Sequence, residues 1–224
     1  VKRCLRHHLR VLRSAWWLLL LLAALALLIG WEAAAALGTY TRRVGELDPR
    51  SALAMALDLR HFFPLAGAVW AALWLGMDFD AAGASIPVSR GFSRFQVFGS
   101  KYLLFLAGCL AVSVLEQLFA VLSAVPGWGS LPAPFLLRCF ALRLLLDLGM
   151  MSLPAVFPAW GRGNVYARLL GIAYGLLLWR LMGTHYGLWL PEMGLGPLWR
   201  ALWPLAGLPV GLGGSALALR KAEL

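Results

Sequence analysis

The stretch from Ser14 to Trp31 holds 18 residues without one Asp, Glu, Lys or Arg, and it narrows the possible folds more than any other feature. A second uncharged stretch, Ala201 to Leu219, runs for 19 residues. About 20 mostly apolar residues carry a helix across a hydrocarbon core ~30 Å thick, so both stretches are of spanning length. Composition points the same way. Hydrophobic residues make up 61% of the chain and charged residues 13%, whereas a soluble domain carries roughly 45–50% apolar and about 25% charged residues. A soluble globular fold is therefore set aside.

The same reading along the 224 residues predicts an all-α polytopic membrane protein, a six-helix bundle with spans at about 15–37, 62–79, 102–125, 135–159, 166–184 and 198–219. Pro126-Gly127 with Pro132 and Pro134 separates the third span from the fourth, and breaks at 161–164 and 191–197 separate the last three. The 38–61 stretch reads as an outer loop, too small to be a separate domain. With the N-terminus inside, 12 Lys and Arg residues fall on the cytoplasmic side and 7 outside, with Arg143 inside a span. That asymmetry favours both termini in the cytoplasm; a multi-pass protein of a bacterial plasma membrane is expected.

The formal charge of +10 would suggest nucleic acid in a soluble protein. Here five basic residues lie in the first thirteen positions and others flank apolar runs, as membrane anchors do, so nucleic acid is excluded as a partner. In Val1–Arg13 the apolar residues Val1, Leu5, Leu9 and Leu12 share one helical face, leaving Lys2, Arg3, Arg6, Arg10 and Arg13 for anionic headgroups. An amphipathic interfacial helix is expected there; a plain positive-inside anchor explains the same charges. The adjacent His7 and His8 fall in this basic leader and read as interfacial. Cys4, Cys109 and Cys139 have neither disulfide nor zinc spacing, and no metal site is expected.

Between the second and third spans, Asp78-Phe79-Asp80 ends one apolar run, a small-residue stretch follows, and Gly91-Phe92-Ser93-Arg94 leads to Lys101-Tyr102 at the start of the next. This order resembles the membrane subunits of type-two ATP-binding-cassette (ABC) exporters, in which an acidic-Phe pair, a Gly-Thr, a Gly-x-Ser-Arg and a Lys occur in that sequence. Gly83-Ala84 stands one position from the Gly-Thr and lacks its threonine, and Pro87 is an unusual addition. The match covers about 25 residues, extended loosely by the six-span length and the basic leader.

The resemblance implies a permease subunit that forms half of a translocation pathway and pairs with a second membrane subunit, as a homodimer or heterodimer. It implies a separate cytosolic ATPase that binds ATP and Mg, docked on a coupling segment at 80–94. Asp78, Asp80, Gly91, Ser93, Arg94 and Lys101 would be the ATPase-coupling residues, with Arg94 at the contact or fixing the helix end and Lys101 anchoring the third span at the interface. The alternative, less favoured, is that Arg90, Arg94 and Lys101 are ordinary positive-inside charges. The exported substrate would be a peptide, an antibiotic or a lipid-like compound.

Inside the spans lie Glu116, Gln117, Arg143 and Asp147. An ionisable group at a helix centre costs ~2.5–3.5 kcal/mol on insertion scales, so each needs a partner or a wet surface. Arg143 and Asp147 are four apart and can pair along one face. Glu116 has no such local partner and would need Arg138 or Arg143 across the bundle, or a polar cavity. Gly171-x-x-x-Gly175 and Gly207-x-x-x-Gly211 permit close helix approach, within the chain or between subunits.

No Gly-x-x-x-x-Gly-Lys-Ser/Thr loop occurs, so ATP hydrolysis would belong to the partner; there is no His-Glu-x-x-His helix or Gly-x-Ser-x-Gly elbow either, and no catalytic residue or cofactor is assigned to this chain. Two further classes share the same spans: a non-transporting membrane scaffold or receptor subunit, and an intramembrane enzyme acting on lipid through Glu116, Arg143 and Asp147.

Overall fold

The computed structural model describes residues 2–45, 48–58, 63–76, 93–124, 127–161, 164–181 and 199–221, and among them every regular element is helical. The helices are α1 (Lys2–Ser14), α2 (Trp16–Val44), α3 (Pro49–Asp58), α4 (Phe63–Trp74), α5 (Arg94–Ala124), α6 (Ala133–Ser152), α7 (Val156–Trp160), α8 (Val165–Leu181) and α9 (Trp199–Lys221). Short 3-10 turns at Trp128–Ser130 and Leu153–Ala155 precede α6 and join α6 to α7.

A helix lies in each of the six intervals expected to span. Two stretches are long and apolar enough to cross a membrane on their own, Gln96–Phe119 and Ala133–Trp160. Leu5–Ser14 and Trp16–Glu32, bent by 79°, make a third if taken together. The apolar stretches Phe63–Trp74, Val165–Leu178 and Leu205–Leu217 are shorter. Around the bundle the outward residues are themselves apolar: Leu20, Leu27, Leu28 and Trp31 of α2, Leu122 of α5 and Leu137 of α6 are all exposed. In water so much exposed apolar area would be a liability; against lipid chains it is neutral.

The inward stripe of α2 is Leu18, Leu22, Ala26 and Ile29, spaced by one turn, and it packs with α4, α5 and the α6–α7 junction in the main core. α4 is the most enclosed element. Its Trp70 and Trp74 stack at 5.7 Å and donate their indole N–H groups to the Phe105 and Lys101 carbonyls, one turn apart on α5, each at 3.1 Å. A buried indole needs such a partner, and this pair fixes the register of α4 on α5. Gly108 leaves room for Trp70, because a Cβ there would run into the indole.

The glycine pairs serve packing within the chain. A Cβ on Gly175 would lie 2.7 Å from the Ala68 Cβ of α4, one on Gly211 would lie 2.6 Å from the Ser152 carbonyl oxygen, and one on Gly207 would meet the Gly149 carbonyl of α6. They let α8 lie on α4 and α9 on α6.

The 38–61 stretch is not a loop throughout. α2 continues to Val44, and α3 follows after Asp48, whose carboxylate accepts the backbone N–H groups of Arg50 and Ser51 at 3.1 and 3.2 Å. Pro49 occupies the first helical position, where its missing N–H costs nothing. Ala52, Leu53, Ala56 and Leu57 of α3 form a second core with Val121, Leu131 and Cys139. Pro49 lies by Gly127, Phe63 by Arg143, Gly67 by Met151 and Trp74 by Lys101. α3 and α4 thus run in one direction along the α5–α6 pair, as two pieces of a single path. At ~1.5 Å per residue α4 alone is ~18 Å long, well short of a ~30 Å core.

The basic leader also differs from expectation. It is a helix, but its inward residues are Leu5, His8 and Leu12, while Leu9 is 45% exposed. His8 is buried against the Trp74 ring instead of lying at an interface, and His7 stays outside.

Candidate functional site

Five polar side chains meet between α5 and α6, all buried: Ser113, Glu116 and Gln117 from α5, Arg143 and Asp147 from α6. On α5 the steps of three and four bring Ser113, Glu116 and Gln117 onto one face. Arg143 Nε donates to Asp147 Oδ1 at 2.7 Å, the intrahelical pairing that their spacing suggests. The Ser113 hydroxyl donates to Asp147 Oδ2, and Gln117 Nε2 donates to Ser113 Oγ at 2.9 Å and reaches Asp147 Oδ2 at 3.4 Å. Asp147 is therefore held from both helices.

Arg143 gathers the rest. Its Nη1 donates to the Leu57 carbonyl in the last turn of α3, its guanidinium lies 5.1 Å from the centre of the Phe63 ring at the start of α4, and Nη2 stands 3.9 Å from Glu116 Oε2. The C-terminal turn of a helix carries partial negative charge, so α3 presents a suitable end to a cation. Of the two cross-bundle partners open to Glu116, it faces Arg143, and Arg138 is exposed. Measured along α5, Glu116 lies ~12 Å from the helix's C-terminal end.

The residues expected to couple to an ATPase are placed unevenly. Asp78, Asp80 and Gly91 lie outside the described residues, as does all of 80–94 except its last two positions. Ser93 and Gln96 cap the start of α5 reciprocally: Gln96 N–H donates to Ser93 Oγ and Ser93 N–H to Gln96 Oε1, both at 3.2 Å. Arg94 is the first residue of α5. Lys101, expected at the interface, is instead only 4% exposed; its ammonium donates to the Trp74 carbonyl at 2.9 Å and lies 5.4 Å from that residue's ring centre. Arg168 donates to the Gly76 carbonyl at 2.5 Å. Two cations thus hold the C-terminal end of α4, where free carbonyls and the helix dipole favour them.

The sequence reading missed Ser113, Leu57 and Phe63 in the polar cluster, and His8 and Arg168 around the end of α4. For Ser113 a signal was available: it precedes Glu116 and Gln117 by three and four residues, on their face. The other four are joined to their partners only by tertiary contact.

Among the described residues no group of three or more His, Cys, Asp or Glu converges as metal ligands would. Comparison with protein-family models, curated proteins and solved structures finds no match to this chain.

Proposed function

We propose that the chain is the membrane-spanning permease subunit of an ABC exporter, with six spans, both termini cytoplasmic and α1 lying amphipathically in the interface. It forms half of a translocation pathway with a second membrane subunit. A separate cytosolic ATPase, which binds ATP and Mg, docks on the 80–94 segment and drives export of a peptide, antibiotic or lipid-like compound.

The observation that carries this reading is how both ends of the segment between α4 and α5 are tied to the bundle. Before it, Lys101 and Arg168 grip the Trp74 and Gly76 carbonyls; after it, the Ser93–Gln96 cap starts α5. A load on the segment is delivered to α4, α5 and α8 together, without slack. α5 then leads from Lys101 to Glu116, ~22 Å further along, so movement at the segment has a stiff path to the polar cluster.

The test is coupled ATP hydrolysis in lipid vesicles holding the chain and its ATPase. Arg94→Glu should abolish most of the stimulation the parent chain gives. Full stimulation by the Arg94→Glu chain would sink the docking role.

A further inference from the structure

The polar cluster holds two carboxylates and one guanidinium, and Arg143 serves the two unequally. Its Nε is 2.7 Å from Asp147, whereas its Nη2 stops 3.9 Å from Glu116. Asp147 has Ser113 and Gln117 as well, and Arg143 has the Leu57 carbonyl. Glu116, 1% exposed, has an Oε2 that accepts no hydrogen bond among the described residues. Gln117 Oε1 is a second buried acceptor without a donor among the described residues.

Counted over the described side chains, the cluster with both carboxylates ionised has one more negative charge than positive, which burial disfavours. One added positive charge removes the excess. A metal ion needs several ligands arranged around it, and no group of three candidate ligands converges among the described residues. A proton needs one oxygen, and Glu116 Oε2 is that oxygen.

We propose that Glu116 is a proton-binding residue inside the membrane. The proton arrives from hydronium, an O–H bond forms at Oε2 and water is left behind; release to water reverses the step. Among the described residues, the charged groups facing Glu116 are Arg143 and Asp147 of α6. α3 and α4 add the Leu57 carbonyl and the Phe63 ring, α5 itself adds Ser113 and Gln117, and Glu32 of the neighbouring α2 is exposed. When Glu116 is ionised, Arg143 is the cation that turns towards it, at the expense of Asp147 and the last turn of α3. Proton occupancy is thereby linked to how α3 is held against α5 and α6. This linkage lies within the one chain and does not depend on an ATPase.

The experiment is infrared difference spectroscopy of the full chain in lipid bilayers, titrated in pH above about 6, where exposed carboxyls are ionised, following the deuterium-sensitive carbonyl stretch of a protonated carboxyl. The expected result is one such band, lost in Glu116→Gln and retained in Asp147→Asn. In the unaltered chain, carbon-13 at glutamate carboxyls should shift the band and carbon-13 at aspartate carboxyls should not, a readout that needs no variant to fold. Absence of the band across the titration, a shift with labelled aspartate only, or its loss when sodium replaces potassium at constant pH would each overturn the proposal.

Discussion

Lys101 and Trp74 hold each other at both ends: the Lys101 ammonium donates to the Trp74 carbonyl at 2.9 Å, and the Trp74 indole donates to the Lys101 carbonyl at 3.1 Å. The ammonium also lies over the indole, 5.4 Å from the ring centre. The pair joins the last turn of α4 to the second turn of α5.

Replacing Lys101 with Met keeps the apolar stem and removes the charge-assisted bond. Hydrogen bonds to charged groups contribute about 1.5–3 kcal/mol, so Lys101→Met should lower the unfolding free energy by about that much. Thermal or denaturant unfolding in detergent reads this directly. A change close to zero would mean that the buried ammonium does not hold α4.

Arg143 and Asp147 should be strongly non-additive. Removing one partner of a buried ion pair costs about 3–5 kcal/mol, since the other is left uncompensated. Arg143→Met and Asp147→Leu should each destabilise by about that amount, and the double variant by clearly less than their sum. Additive losses in the same unfolding measurement would show that the two side chains do not act as a pair.

The glycines of α9 separate by sign. Gly211 meets the Ser152 backbone, so Gly211→Ala must push α9 from α6 and should cost about 1–3 kcal/mol. Nothing lies within 4 Å of a Cβ on Gly213, so Gly213→Ala should stabilise by about 0.5–1 kcal/mol through helix propensity alone. Equal effects in unfolding assays would remove α9 from its place on α6.

Asp48 carries a pH dependence. The Ser51 hydroxyl, followed by the Ser51 and Arg50 backbone N–H groups, holds its carboxyl below the ordinary value of 3.8. A depressed folded-state value means that the stabilisation is complete above the unfolded-state value and is lost as pH falls through the folded one. Amide exchange at Ala52 and Leu53, corrected for intrinsic rate, should be faster in Asp48→Ala than in the parent at about pH 5. The difference should shrink as pH drops below 3.8. A ratio independent of pH would exclude the capping role.

Much of this bundle was legible because hydropathy and helical spacing are local. The uncharged 14–31 run marked α2, and the four-residue step from Arg143 to Asp147 marked the pair. α3 was hidden because Arg42, Arg43, Arg50, Asp58 and Arg60 dilute the hydropathy around it, although Asp48-Pro49 is a readable helix start. Lys101 and His8 were read as surface groups because charge is normally solvated. Their burial depends on Trp74, which reaches them only after α1, α4 and α5 have packed. The choice by Glu116 of Arg143 over Arg138 likewise depends on the rotation of α6 against α5, which spacing within either helix does not specify.

On the proposed function, this chain works with a separate ATPase through the segment between α4 and α5. The most direct test is recovery of the tagged chain from its own host's membranes in mild detergent, with co-purifying proteins identified by mass spectrometry. A stoichiometric ATPase carrying a phosphate loop is expected, lost when Gly91–Arg94 is altered while the chain itself remains folded. Recovery of the intact chain without such an ATPase, under conditions that preserve a known ABC complex, would contradict it.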